Sequence, residues 1–111
     1  EKKMPELNFN NIAKKYLRIT LKDKNKTVIN VSNPSKKLLK ELINVDKMIK
    51  NENIEEEEQI GILYELCAKI LSRNKESLNI NKDLLEDILD IEDIITFFKA
   101  YLEFINTQIK N

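Results

Sequence analysis

The sequence predicts a mainly α fold: a small four-helix domain with an N-terminal β-hairpin, α+β in class. Through most of residues 34–109, apolar residues recur every three or four positions, which is the period of a helix. Within residues 16–31, two short runs alternate between apolar and polar residues instead, which is the period of a strand. With 111 residues, 41% of them hydrophobic, the chain is long enough for one domain and apolar enough to fold.

The β-hairpin is predicted within residues 16–31. Apolar and polar residues alternate from Leu17 to Lys22, and Thr27–Val31 is rich in β-branched residues, so both runs favour strands. The four residues between them, Asp23–Lys26, favour a turn in which Asn25 adopts the left-handed conformation. A lone hairpin is marginally stable in water, so this one is expected to pack on the helices.

Four helices are predicted after the hairpin. Asn33 and Pro34 favour the N-cap and first position of the first helix. Asn81 is expected to cap the third helix, and Asp90 the fourth, with Asp93 answering it in a variant of the capping box. The predicted bounds are 34–50, 55–73, a short segment that carries Leu84 to Leu89, and 91–109.

The charges are balanced overall but divided along the chain. Residues 1–50 hold 13 basic and 5 acidic side chains, and residues 51–111 hold 6 and 14, which gives a net charge of zero. The two halves either neutralise each other within the fold or lie on opposite faces, where they would favour self-association. Residues 1–15 are polar and are predicted to form a flexible arm, which leaves residues 16–111 as a single helical domain with its hairpin.

The composition argues against several classes of function. The chain has no His, one Cys and one Gly, so we expect neither a Cys/His zinc site, nor a glycine-rich nucleotide loop, nor a His-based catalytic triad. No cofactor is expected. No apolar run approaches the roughly 18–20 residues of a membrane span, and the lysines near the N-terminus are not followed by the apolar core of a signal peptide. A single Cys is typical of a reducing compartment, so we expect a cytoplasmic protein without membrane contact.

Several chemically reactive side chains have ordinary structural interpretations. Cys67 shares a helical face with aliphatic residues and is expected in the core, because no base is available to activate it. The acidic run Glu55–Glu58 suits a helix N-terminus, where carboxylates meet the positive end of the helix dipole, and the alternative is that it binds a cation or a basic partner. Four carboxylates at helical spacing are expected to form a solvated face, with a metal site or an acid–base pair as the alternatives: Asp83, Glu86, Asp87 and Asp90.

Two surfaces are candidates for binding. The first is a basic face, which would suit nucleic acid or an acidic partner: Lys14, Lys15, Arg18, Lys22, Lys36, Lys37 and Lys40. The second is an aromatic edge on the fourth helix, formed by Phe97, Tyr101 and Phe104. These three rings either bind a protein partner or pack in the core.

The order of these parts resembles that of the small tail assembly chaperones of long-tailed bacteriophages, which phages and prophages of low-GC Gram-positive bacteria encode. The similarity covers about residues 16–109 and lies in the layout of the chain. The matching parts are a strand at Leu17–Asp23, a Lys/Asn turn, a strand at Thr27–Val31, a helix opened by Pro34, an acidic helix at Glu55–Leu71, and acidic and apolar residues at Leu84–Asp93. The abundance of Lys, Asn and Ile, which have A/T-rich codons, is typical of a low-GC genome.

The resemblance implies a protein that is not an enzyme. Members of the family are thought to bind the long tape measure protein, to keep it soluble and to recruit tail tube subunits. We therefore expect a non-enzymatic interaction protein whose partners are the tape measure and tail tube proteins, with self-association as a further expectation. The alternative is a small nucleic-acid-binding regulator that uses the lysine-rich N-terminal half.

Overall fold

A computed structural model describes residues 4–51 and 57–109. Within these ranges the chain forms a 3-10 turn, a two-stranded antiparallel hairpin and four α-helices. The elements are β1 (Leu17–Thr20), β2 (Val28–Val31), α1 (Lys36–Lys50), α2 (Glu57–Leu71), α3 (Lys82–Ile88) and α4 (Ile91–Ile109). The predicted fold class is therefore confirmed.

The hairpin pairs Leu17 with Val31 and closes through a tight loop. The Asp23 carboxylate accepts a hydrogen bond from the backbone N–H of Thr27 at 2.8 Å, which ties the two sides of the loop together. The left-handed residue is Lys26, with φ of 49°, so the prediction for Asn25 was wrong. The Lys26 N–H donates to the Asp23 carbonyl and closes a turn over the preceding residues, which puts the left-handed conformation at the end of the loop.

Helix α1 begins two residues later than predicted. Its N-cap is Ser35, whose hydroxyl accepts a hydrogen bond from the backbone of the first turn. The Asn33 side chain exchanges two hydrogen bonds with Gln108 at 2.9 Å instead of capping a helix. Asn33 and Pro34 therefore belong to the connection between β2 and α1, because a partner far along the chain engages Asn33.

The other helix starts follow the sequence closely. The Asn81 side chain caps α3 by accepting from the Leu84 N–H at 2.8 Å. Asp90 and Asp93 each accept a hydrogen bond from the other's backbone N–H, so the predicted capping box of α4 is confirmed. Helix α2 is shorter than the predicted 55–73 span, and the first two predicted residues lie outside the described ranges.

The core lies between the helices and the inner face of the hairpin. Helix α2 packs against α1, α3, α4 and β2, and it contributes the largest share of buried residues. Fully buried side chains come from every major element except β1 and include Ile29, Leu42, Leu63, Ile70, Leu85, Ile94, Phe98 and Tyr101. Because side chains alternate along a strand, Leu17 and Ile19 of β1 pack against this core while Arg18 and Thr20 are exposed.

The connection between α2 and α3 is held by a buried amide. Asn74 is 9% exposed, and its side-chain nitrogen donates to the carbonyls of Leu71 at 2.8 Å and Leu78 at 2.7 Å. Its side-chain oxygen accepts from the Leu78 N–H at 2.8 Å. One side chain thus satisfies three backbone groups and fixes the loop that runs beside β2.

The described residues ahead of the hairpin are all exposed. They contain a single 3-10 turn, Phe9–Asn11, which the Asn8 side chain caps. Three large apolar side chains in this segment, Met4, Leu7 and Phe9, are more than half exposed. The flexibility of the arm and its separation from the helical domain stay predictions.

Candidate functional site: a groove between the outer edge of β1 and helix α4

The three rings predicted to form an aromatic edge lie in one stack. The ring centroids of Phe97 and Tyr101 are 5.6 Å apart, and those of Tyr101 and Phe104 are 6.1 Å apart. Tyr101 is fully buried, and its hydroxyl donates to the Ser32 carbonyl at 2.8 Å. Tyr101 therefore belongs to the core and presents nothing to a partner, whereas Phe97 and Phe104 on either side of it are half-buried.

Strand β1 has an outer edge whose backbone groups make no hydrogen bond within the described residues. The Leu21 N–H donates to the Thr27 carbonyl, which fixes the hydrogen-bonding phase of the hairpin. In that phase the backbone N–H and C=O groups of Leu17 and Ile19 form hydrogen bonds with β2, whereas those of Arg18 and Thr20 point away from β2. Four backbone groups, two N–H and two C=O, therefore line the outer edge.

The outer edge of β2 is covered by the chain itself. The Lys75 N–H donates to the Asn30 carbonyl at 2.8 Å, and the Ser32 N–H donates to the Arg73 carbonyl at 3.0 Å. The Asn30 N–H donates to a carboxylate oxygen of Glu76 at 2.8 Å. The fold thus protects most of one edge of the hairpin and leaves the other open.

The open edge faces α4 across a groove, which we call the β1–α4 groove. One part of it has a volume of about 300 Å³ and is lined by β1 and by residues that include Leu71, Leu89, Phe97 and Ala100. An adjoining part of about 360 Å³ continues past Leu17 and Ala100 toward Phe104. The groove therefore runs along β1, with mainly apolar residues at its base.

One end of the groove is closed by an ion pair. The Lys22 ammonium lies 2.8 Å from a carboxylate oxygen of Asp93, which also serves the α4 capping box. The hydrogen bond from Lys22 lowers the pKa of Asp93 below its ordinary value, and the hydrogen bond to Asp93 raises the pKa of Lys22. This contact joins the loop after β1 to the N-terminus of α4.

The predicted basic face is distributed over three parts of the molecule. Its seven residues are all exposed: Lys14 and Lys15 in the arm, Arg18 and Lys22 in and beside β1, and Lys36, Lys37 and Lys40 at the start of α1. Of these seven, Lys22 alone makes an ion pair among the described residues. Its pair with Asp93 is the one described ion pair that joins a base of the N-terminal half to an acid of the C-terminal half. Among the described residues, ion pairs therefore neutralise little of the opposite charge on the two halves.

The remaining candidates occupy surroundings that match their structural interpretations. Cys67 is fully buried, and burial raises the pKa of its thiol. The four carboxylates on and beside α3 are exposed, and within residues 4–51 and 57–109 no three acidic, Cys or His side chains are placed to hold a metal ion. Glu57 and Glu58 are exposed in the first turn of α2, and the first two glutamates of the acidic run lie outside the described ranges.

A second hollow differs in character from the β1–α4 groove. It lies between α1 and α2, has a volume of about 330 Å³, and is lined in part by charged residues. The Lys69 ammonium lies 3.4 Å from the Glu41 carboxylate within this lining. Two of the three charged side chains in this lining are therefore paired with each other.

Sequence reasoning missed the open edge and the small residues opposite it. Thr96 and Ala100 are exposed, lie one turn apart on α4 and line the groove. A signal was available, because these two positions interrupt an otherwise bulky helical face. The pairing of the hairpin edges leaves no comparable trace in the sequence.

Comparison with models of protein families, with curated proteins and with solved structures found no match for this chain. None of the helices within the described ranges has both the length and the apolar character required to cross a membrane.

Proposed function

We propose that this protein is a non-enzymatic binding protein that holds a protein client in the β1–α4 groove. The observation that carries the proposal is the groove itself: an open backbone edge beside an apolar surface on which Phe97 and Phe104 are half-exposed. A polypeptide can bind such a surface in two ways, by hydrogen bonds to the unpaired backbone groups and by contact with the apolar side chains.

Among client-binding proteins, a phage tail assembly chaperone in the host cytoplasm fits this chain best. The layout of the chain resembles that family, whose clients are the tape measure and tail tube proteins. A chaperone needs apolar surface to cover its client and charge to remain soluble. The β1–α4 groove provides the first, and exposed lysines that make no ion pair within the described residues provide the second.

Site-specific photocrosslinking tests the proposal. A diazirine-bearing residue replaces Ala100 in the groove or, as the matched control, Lys40 on the exposed surface of α1. Both full-length variants are expressed in the native host during phage induction, and the crosslinked partners are identified by mass spectrometry. We expect the variant at position 100 to capture a tape measure or tail tube protein and the variant at position 40 not to capture it.

Two results would contradict the proposal. The first is crosslinking to nucleic acid, especially from position 40 near the exposed lysines, which would support a nucleic-acid-binding regulator instead. The second is the absence of any protein captured from position 100. A further variant, with Phe97→Ser and Phe104→Ser, is expected to lose the captured client, and circular dichroism checks that it stays folded.

A further inference from the structure

We infer that the β1–α4 groove takes its partner as an added β-strand: an extended segment of another protein in which apolar and acidic residues alternate. This inference rests on the proposed function, because it specifies how the client is bound. The added strand would exchange hydrogen bonds with the backbone of Arg18 and Thr20 and would lie beside α4.

The backbone provides the first reason. Arg18 and Thr20 direct two N–H and two C=O groups away from β2, and none of these groups is hydrogen-bonded within the described residues. Exposed strand edges of this kind pair readily with other chains. On β2, by contrast, the outer groups of Asn30 are already bonded to Lys75 and Glu76. Strand addition is therefore directed to one edge of the hairpin.

The base of the groove provides the second reason. Side chains alternate along a strand, so every second residue of an added strand would point toward α4. There it would meet Phe97 and the small side chain of Ala100, with Leu17 and Ile19 of β1 alongside. The inward positions of the added strand are therefore expected to be apolar.

The charges of the outer surface provide the third reason. Arg18 points outward from β1, and neither Arg18 nor the neighbouring Lys14 and Lys15 makes an ion pair within the described residues. The outward residues of an added strand would lie directly beside Arg18. Acidic residues at those positions would complement the charge, so the favoured segment alternates apolar and acidic side chains.

The same charges disfavour a second copy of β1 as the occupant. In an antiparallel two-fold pairing centred on Thr20, Arg18 would lie opposite Lys22 of the other copy. A pairing centred on Arg18 would place the two arginines opposite each other, and one centred on Ile19 would make them diagonal neighbours. Each register brings like charges together, which is unfavourable across strands.

Proline substitution separates strand addition from other modes of binding. Thr20→Pro removes an outward N–H of β1 and spares the hydrogen bonds of the hairpin. Val28→Pro is the matched control, because Val28 faces Thr20 in the same pair and its N–H points to the opposite edge. The probe is a fluorescent seven-residue peptide, blocked at both ends, in which valine and glutamate alternate. Binding is measured by fluorescence anisotropy on the full-length protein.

We expect the acidic peptide to bind the wild-type protein and the Val28→Pro variant alike, and to bind Thr20→Pro about tenfold more weakly. A peptide N-methylated at alternate residues, which cannot pair along one edge, is expected not to bind; this probe needs no change to the protein. Arg18→Glu should transfer the preference to a peptide in which valine and lysine alternate.

Three results would overturn the inference: no binding of the acidic peptide to the wild-type protein, equal binding by Thr20→Pro and Val28→Pro, or a wild-type dimer that Thr20→Pro dissociates in sedimentation experiments. Photocrosslinking from position 100 distinguishes this inference from the proposed function. A client captured as efficiently in the Thr20→Pro background as in the wild-type background would overturn strand addition and leave the client-binding role intact. A client captured in neither background would contradict the client-binding role itself.

Discussion

Replacing Tyr101 by Phe tests whether the centre of the aromatic stack is structural. The Tyr101 ring is fully buried, and its hydroxyl donates to the Ser32 carbonyl at 2.8 Å. Tyr101→Phe keeps the ring between Phe97 and Phe104 and removes only the hydroxyl. The variant therefore isolates the bond that joins α4 to the segment after β2.

The expected loss follows from the state of the carbonyl that remains. A neutral hydrogen bond contributes about 0.5–1.5 kcal/mol to stability, and a buried acceptor left without a partner costs about 1–3 kcal/mol. Ser32 is half-buried, so water can partly replace the hydroxyl. We expect Tyr101→Phe to lower the free energy of unfolding by about 1–2 kcal/mol.

Urea denaturation at pH 7, followed by circular dichroism, measures this difference. The matched control is Tyr16→Phe. Because Tyr16 is 37% exposed, this substitution should change stability by less than about 0.5 kcal/mol. The midpoint should fall for Tyr101→Phe without a change in the slope of the transition. If both variants were as stable as the wild-type protein, the reasoning from the buried bond would be refuted.

The same variant changes the response to alkaline pH. Burial raises the pKa of Tyr101 above its ordinary value of 10.0, so the folded state holds this proton more tightly than the unfolded state does. The associated stability is complete below pH 10 and is lost as the pH rises above it. The stability difference between wild type and Tyr101→Phe should therefore shrink above pH 10. A difference that stayed constant up to pH 11 would contradict this.

Three further outcomes are expected. Asn74→Ala should destabilise the fold by about 1–3 kcal/mol in urea denaturation, because it removes a buried amide with three backbone partners. The control Asn79→Ala should be nearly neutral, because Asn79 is exposed, and equal effects of the two substitutions would contradict the role given to Asn74. Cys67 should react with a thiol reagent only after unfolding, because it is fully buried, and rapid reaction of the native protein would place it elsewhere. Asp93→Asn should destabilise the protein at pH 7, because the charged carboxylate of Asp93 stabilises the fold, as its lowered pKa shows. The difference in stability from wild type should fade as the pH drops below 3.8, and a difference that persisted at pH 2 would contradict this.

The parts of the fold that depend on neighbouring residues could be predicted from the sequence. The Asn81 cap and the Asp90–Asp93 capping box each involve groups three residues apart, so the local pattern contains the whole interaction. The alternation of Leu17 and Ile19 with polar residues likewise predicted β1 and its buried face.

The parts that depend on distant partners could not. Asn33 looks like a helix cap until Gln108, 75 residues away, engages its side chain. Tyr101 lies on a helical face with Phe97 and Phe104, and its burial depends on tertiary packing, in which its hydroxyl reaches the carbonyl of Ser32, 69 residues away. The open edge of β1 is also a tertiary property, because it depends on where the α2–α3 connection lies.

The accessibility of the β1 edge is measured most directly by amide hydrogen exchange, read residue by residue by NMR. In the free protein we expect the amides of Ile19 and Leu21 to be protected by β2, and those of Arg18 and Thr20 to exchange rapidly. On addition of the acidic peptide, Arg18 and Thr20 should become protected while the pattern on β2 is unchanged. Protection of Arg18 and Thr20 in the free monomer, or rapid exchange at both in the peptide-bound protein, would contradict the account.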